Sequence, residues 1–292
     1  LSYAELSRFA GEADLLINIS GMLRDERLLE SIPIRAFLDL DPGFNQVWHE
    51  TGIEMGFDLH THFVTVGQCL GREGCPIPDC GRDWSATLPP VVLDEWPPEP
   101  RSYRRDAFTS VGHWRSYGSI EHDGIHYGQR AHSLRELIEL PRIVDARFEM
   151  ALAIHADETA DLTALQANAW GLLDPAEVAG TPDDYAEFVR GSGAELSVAK
   201  RGYVTSRSGW FSDRSACYLA SGRPVVAQET GFGDLFPTGE GLLMFEDLNG
   251  AAAAVERVQA DWPAHSKAAR EFAGTYLDAN IVLSNLIAEL SA

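Results

Sequence analysis

Positive charge is what this chain most lacks. Its 292 residues carry 23 Lys and Arg against 44 Asp and Glu, a formal net charge of −21. Nucleic-acid and anionic-membrane binders need a basic footprint, so neither is expected as a partner. Long apolar runs are also missing: no stretch approaches the roughly 20 residues of a membrane span. No secretory leader is visible at Leu1, so the cytoplasm is the expected compartment, although a Leu start also fits a chain from which a leading segment has been removed. Cysteine is sparse, at four residues. Cys69, Cys75 and Cys80 lie close together without a matching second pair, which makes a poor zinc signature and no disulfide framework. Internal repeats and low-complexity segments are absent as well.

What is present is ordinary globular composition, 45% hydrophobic and 23% charged, in a chain long enough for two domains with separate cores. Helix-like AELSRFAGEA precedes an apolar strand, Asp14 to Ser20. DERLLESI then reads as helix, IRAFLDLD as strand, FNQVWHETG as a helix closed by Gly52, and His62 to Gly67 as a third strand. Such alternation calls for a parallel sheet covered by helices. A doubly wound domain normally opens on a strand, so the first βαβ units are expected to lie outside this sequence. From Cys69 to Arg104 the chain is irregular, with one short strand expected in PVVLDEW. Pro97 to Asp106 is the expected linker, with three prolines and no periodicity. A second alternation follows, through strands FTSVGHW, FEMALAI, AWGLLD and AELSVA. Thr181-Pro182-Asp183-Asp184 has the residues of a helix start. The chain then ends on three helical stretches. The expected division is 1–100, 101–280 and a final helix, 281–292, returning to the first domain.

One stretch, Ser197 to Gly241, organises the second half. Three serines, a glycine and an arginine lie between Ser206 and Ser212. Ala216, Leu219 and Ala220 then give a helix one apolar face, Gly222 and Pro224 end it, and PVVAQ reads as a buried strand. A loop of small polar residues feeding a helix N-terminus suits an anion, above all a phosphate. Lys200, Arg201, Arg207 and Arg214 cluster here in an otherwise acidic chain.

The turn ASGRPVVA, Ala220 to Ala227, with the loop and helix before it, resembles the C-terminal domain of GT-B glycosyltransferases. The likeness is nearest to a bacterial branch carrying SRSGWFSDRSACYLA-GRPVV-Q-TGF, matched from Ser206 to Phe232, and it covers the chain from about Asp14 onward. The resemblance implies two Rossmann-like domains facing a cleft, the first of them incomplete. It implies transfer of a sugar from a nucleoside-diphosphate sugar to the hydroxyl of a small-molecule or glycan acceptor, with no metal or other cofactor required. The chain departs from the better-known retaining branch, whose paired glutamates correspond here to Gly209 and Cys217, so retaining stereochemistry does not follow.

Donor contacts implied by the resemblance are Ser206, Ser208 and Ser212, the backbone of Gly209, the cations Lys200, Arg207 and Arg214, and Arg115 in GHWRSYGSIEHDGIHYGQRA. Asp213 is expected to cap the helix or to accept from ribose hydroxyls. Glu229, Gly231 and Phe232 follow PVVAQ, where a GT-B site meets the sugar. An inverting enzyme also needs a base near the acceptor hydroxyl. Asp41, at the end of a strand in DLDPGF, is the expected base, with His62 the other candidate. The same fold also suits a nucleotide-sugar epimerase or hydrolase, or a module that binds the donor without turning it over.

Overall fold

The computed structural model describes residues 1–98 and 105–291. Two parallel sheets organise them. The first contains, in sequential order, β1 (Leu15–Ile19), β2 (Ile34–Asp39), β3 (His62–Thr65) and β4 (Trp84–Ala86). The second begins with β5 (Arg105–His113) and continues, after an antiparallel ribbon of β6 (Ile120–His122) and β7 (Ile125–Tyr127), with β8 (Phe148–Ala153) and β9 (Gly171–Leu173). It is completed by β10 (Ser192–Ser197), β11 (Val225–Gln228) and β12 (Leu242–Phe245), in the order β12-β11-β10-β5-β8-β9. Counted within that sheet, the order is the 3-2-1-4-5-6 of a doubly wound nucleotide-binding sheet, and it reverses between β5 and β10.

The sheet strands are apolar runs because both faces are covered. Every residue of β10 and β11 is buried. On one face Leu196, Val226 and Phe148 pack with Leu134 and Val255 from the helices. On the other, Val225 and Ala227 pack with Leu219 of helix Asp213–Ala220 and Phe272 of helix Trp262–Phe272. Thr181 caps its helix as its sequence suggests, accepting from Asp184 N.

Three contacts join the two halves: in one, Phe44 and Val47 of helix Phe44–Glu50 pack with Tyr127, Ala199 and Tyr203. Gly67 forms an antiparallel bridge with Trp210, and the flanking amides of Gln68 and Cys69 donate to the carbonyls of Gly209 and Ser208 at 3.3 and 3.1 Å. Gly209 has φ +72°, and a Cβ there would sit 2.7 Å from Cys69 N, so glycine is needed for the backbones to meet. Elsewhere the terminal helix Ala279–Leu290 lays Leu286 and Leu290 against Ala36 and Val64 of the first sheet.

Some elements differ from the sequence reading. PVVLDEW is not a strand: Val91 makes one isolated bridge to Asp278, and Leu93–Glu95 is a 3-10 turn. Pro89 and Pro90 bring no amide hydrogens, so a ladder cannot extend there. The fourth strand is instead Trp84–Ala86, too short to show a pattern. Of the expected linker, Arg105 and Asp106 already belong to β5, and residues 99–104 lie outside the described residues. No helix among the described residues is long and apolar enough to cross a membrane.

Candidate active site

A cavity of about 500 Å³ lies where the C-terminal ends of both sheets face each other. Ile19, Asp41, Val66 and Thr87 reach it from the ends of the first sheet's strands. Gly112 and His113 reach it from β5, and Lys200 from the loop after β10. It therefore opens at the reversal point of the second sheet, where open α/β sheets bind their ligands.

Asp41 owes its position to Asp39, which is fully buried at the end of β2. Asp39 accepts from Asp41 N (2.9 Å), Asn45 Nδ2 (2.6 Å), Gln46 Nε2 (2.9 Å) and Thr65 Oγ1 (2.8 Å). Burial pushes its carboxyl up despite these four donors. Asp39 thus orders the DLDPGF loop and presents Asp41 to the cavity.

At Asp41 three donors converge on one oxygen. Lys200 Nζ lies 2.5 Å and Tyr117 Oη 2.8 Å from Oδ1, and Tyr203 Oη donates to the same atom. Lys200 Nζ also lies 2.6 Å from Tyr117 Oη and 4.3 Å from the centre of that ring. Burial works to raise the Asp41 carboxyl, but the charge of Lys200 and the three hydrogen bonds outweigh it and hold the group below the usual carboxylate range. Burial, helped by nearby Arg130, lowers the Lys200 ammonium against the pull of Asp41. Both directions fit one site in which one oxygen of the carboxylate takes three donors and the ammonium faces a second cation. Tyr117 is raised, by burial and then by Asp41, so its hydroxyl stays protonated as a donor.

Arg130 opens helix Arg130–Glu136 and crosses the end of β5. Its Nε donates to Val198 O (3.0 Å) and its Nη1 to His113 O (3.3 Å). It pairs with no carboxylate among the described residues. Burial, then the neighbouring guanidinium of Arg214, bring it down to about 9, which leaves it charged at neutral pH. Gly112 makes room for it: a Cβ there would stand 1.8 Å from Arg130 Nη1.

Helix Asp213–Ala220 directs its N-terminus at the cavity, with Ser212, Asp213 and Arg214 on the lining. The Ser212 hydroxyl makes no capping bond; it donates instead to Asp213 Oδ1 at 3.5 Å, which also accepts from Arg214 N at 2.9 Å. The remaining first-turn amides have no partner within the helix. Arg214 itself is held from behind, by Glu195 Oε1 at 2.5 Å, Val111 O at 2.9 Å and Ser197 Oγ at 3.1 Å.

Of the residues expected from sequence, the cavity gathers Asp41, Lys200, Ser212, Asp213 and Arg214. The others stand away from it. Ser206 and Ser208 are fully buried and donate to Gly202 O and Tyr203 O, and Gly209 belongs to the strip joining the sheets. Arg207 pairs with Asp234 and Arg115 with Glu158, both at 2.5 Å. Glu229 Oε1 accepts from Thr230, Gly231 and Gly233 amides, tying its own turn. Gly231 packs on Arg207 O and Cys69 Sγ, and Phe232 is buried in a stack with Phe211 and Phe236. His62 starts β3, at the end opposite the cavity and roughly 10 Å along the strand from its last residue; its Nδ1 meets Thr61 Oγ1 at 2.9 Å. Sequence reasoning missed Arg130, Tyr117 and Tyr203. Arg130 lies in the same glycine-rich stretch as Arg115, and no local signal ranks one above the other. Among the described residues no three His, Cys, Asp or Glu side chains stand together as metal ligands do.

No protein-family model matches the chain, and no curated protein matches it in sequence. Solved structures do match it in shape. The Anabaena protein HepE in complex with UDP and glucose superposes with a TM-score of 0.63 at 12% identity, over 99% of this chain and 80% of that one. An α-glucosyltransferase in complex with UDP-glucose and DNA containing an abasic site gives 0.63 at 10%, over 99% and 83%. Sucrose-phosphate synthase from Thermosynechococcus elongatus gives 0.59 at 13%, over 95% and 73%. With its two parallel sheets facing one cleft, the chain has the GT-B fold of these glycosyltransferases.

Proposed function

We propose that the chain is a glycosyltransferase that moves a sugar from a nucleoside-diphosphate sugar to an acceptor hydroxyl. One observation carries the reading. At the reversal point of the second sheet, a helix N-terminus, Arg130 and Lys200 converge on a single cavity in a molecule of net charge −21. A diphosphate is the group that such a site neutralises, through backbone donors and two cations. As the sugar leaves, the same groups stabilise the charge growing on the diphosphate. Asp41 faces them from the first sheet and is the proposed base; its Oδ2 receives no hydrogen bond from the described residues. Residues 1–100 then form the acceptor half, 101–280 the donor half, and 281–292 the returning tail.

The dipole and cations take the place of a metal in this reading. The acidic surface disfavours a nucleic-acid acceptor. Because HepE and the α-glucosyltransferase were solved with UDP or UDP-glucose, uridine diphosphate is the first nucleotide to try. Calorimetry of the chain with UDP, GDP and ADP, with and without a chelator, tests the reading. Binding of one of them that survives the chelator is expected. Failure of all three to bind would overturn the donor site, and binding restored only by magnesium or manganese would overturn metal independence.

A further inference from the structure

The two walls of the cavity differ in chemistry. Arg130, Lys200 and the helix N-terminus stand on one. The other is built from Ile17 and Ile19 of β1, Leu38 and Leu40 at the end of β2, and Leu283 and Leu286 of the terminal helix. Ile19, Leu40 and Leu283 are 50, 38 and 39% exposed and form the open part of this wall, while Leu286 is buried and packs with Ile17 and Leu38 behind it. Ile287, one helical turn past Leu283 and 49% exposed, prolongs the face outward. Pro89 and Pro90, also on the lining, contribute no amide hydrogens. Thr87 is the polar side chain at this end, and Asp41 stands where the two walls meet.

A carbohydrate acceptor carries hydroxyls over most of its surface. Laid on this wall, each would lose water with nothing to replace it. A hydrocarbon or aromatic body instead gains in proportion to the apolar surface it hides from water. We propose that the acceptor is an apolar alcohol or phenol, its body on the leucine and isoleucine wall and its single hydroxyl at Asp41. This rests on the reading of the opposite wall as the donor site. It narrows the acceptor from any hydroxyl compound to one chemical class.

1-Naphthol and methyl α-glucoside, each titrated with and without saturating UDP, discriminate. Naphthol is expected to bind at least tenfold more tightly than the glucoside. The double variant Ile19→Asn/Leu283→Asn is expected to weaken naphthol about tenfold and to leave UDP within twofold, which also shows that it is folded. Tighter binding of the glucoside, or naphthol affinity unmoved by the double variant, would overturn the apolar acceptor while leaving the donor reading intact. Naphthol binding without any nucleotide binding would sink the donor reading, and with it the acceptor role. Self-association in sedimentation that the double variant abolishes, with no naphthol binding, would mark the wall as a contact between copies and also overturn the proposal.

Discussion

At the scale of single residues the cavity turns on Asp41, Lys200 and Arg130. Asp41→Asn is expected to lower turnover by about 10²–10⁴-fold, as loss of a general base does. Nucleotide affinity should hold or tighten, because Lys200 no longer has a carboxylate to leave; calorimetry beside a transfer assay reads both. The same carboxyl has a signature in stability. Its folded value lies below the ordinary 3.8, so its contribution is complete above that pH and is lost as pH falls through the depressed value. The stability gap between parent and Asp41→Asn, measured by urea unfolding, should accordingly be present at pH 7 and close in strong acid. Arg130→Met should weaken nucleoside-diphosphate binding about ten- to a hundredfold, the loss of one charge-assisted contact. Gly112→Ala should reproduce that loss by displacing the guanidinium, whereas Arg207→Ala should stay within about twofold. Calorimetry on the three variants separates a cation of the cavity from a cation of the surface. Asp41 was legible in the sequence because a strand end in an α/β alternation points to the ligand side. Arg130 was not, since its role comes from crossing β5 over a glycine 18 positions earlier in the chain, a juxtaposition that only the fold creates.

At the scale of elements, the stretch from Ser206 to Ala220 does two jobs that its sequence presents as one. Ser208 to Trp210 joins the sheets, and Trp210 to Arg214 reaches the cavity. Serines look alike in a sequence whether their hydroxyls face a ligand or a carbonyl about one turn back. Helix Asp213–Ala220 is fixed to the sheet beneath by Arg214 and the fully buried Glu195. Burial opposes the charge on Arg214, and Glu195 more than restores it. Arg214→Met should cost about 3–5 kcal/mol in urea unfolding by leaving Glu195 uncompensated. Arg214→Met/Glu195→Gln should recover much of that loss. The apolar runs revealed β1, β2, β3, β5, β8, β9, β10 and β11 because parallel strands are covered on both faces. β12, LLMF, lacks β-branched residues and reads equally as helix. The ribbon β6–β7 did leave a sign: Asp123 and Gly124 both take positive φ, the turn that an Asp-Gly pair favours.

At the scale of the whole molecule, the contacts that join the two halves have a mechanical consequence. A body fastened along a single line opens like a book, and ligands commonly close such a body by rotation about that line. This one is fastened along three: the backbone bonds of Gly67–Cys69 with Ser208–Trp210, the cluster of Phe44 and Val47 with Tyr127 and Tyr203, and the terminal helix through Leu286 and Leu290. A rotation that preserved one line would tear the others. It is expected to behave as a box, filled without being shut. The radius of gyration, about 19 Å for a compact chain of this length, should then stay the same to within a few tenths of an ångström when small-angle scattering is recorded with and without saturating nucleotide.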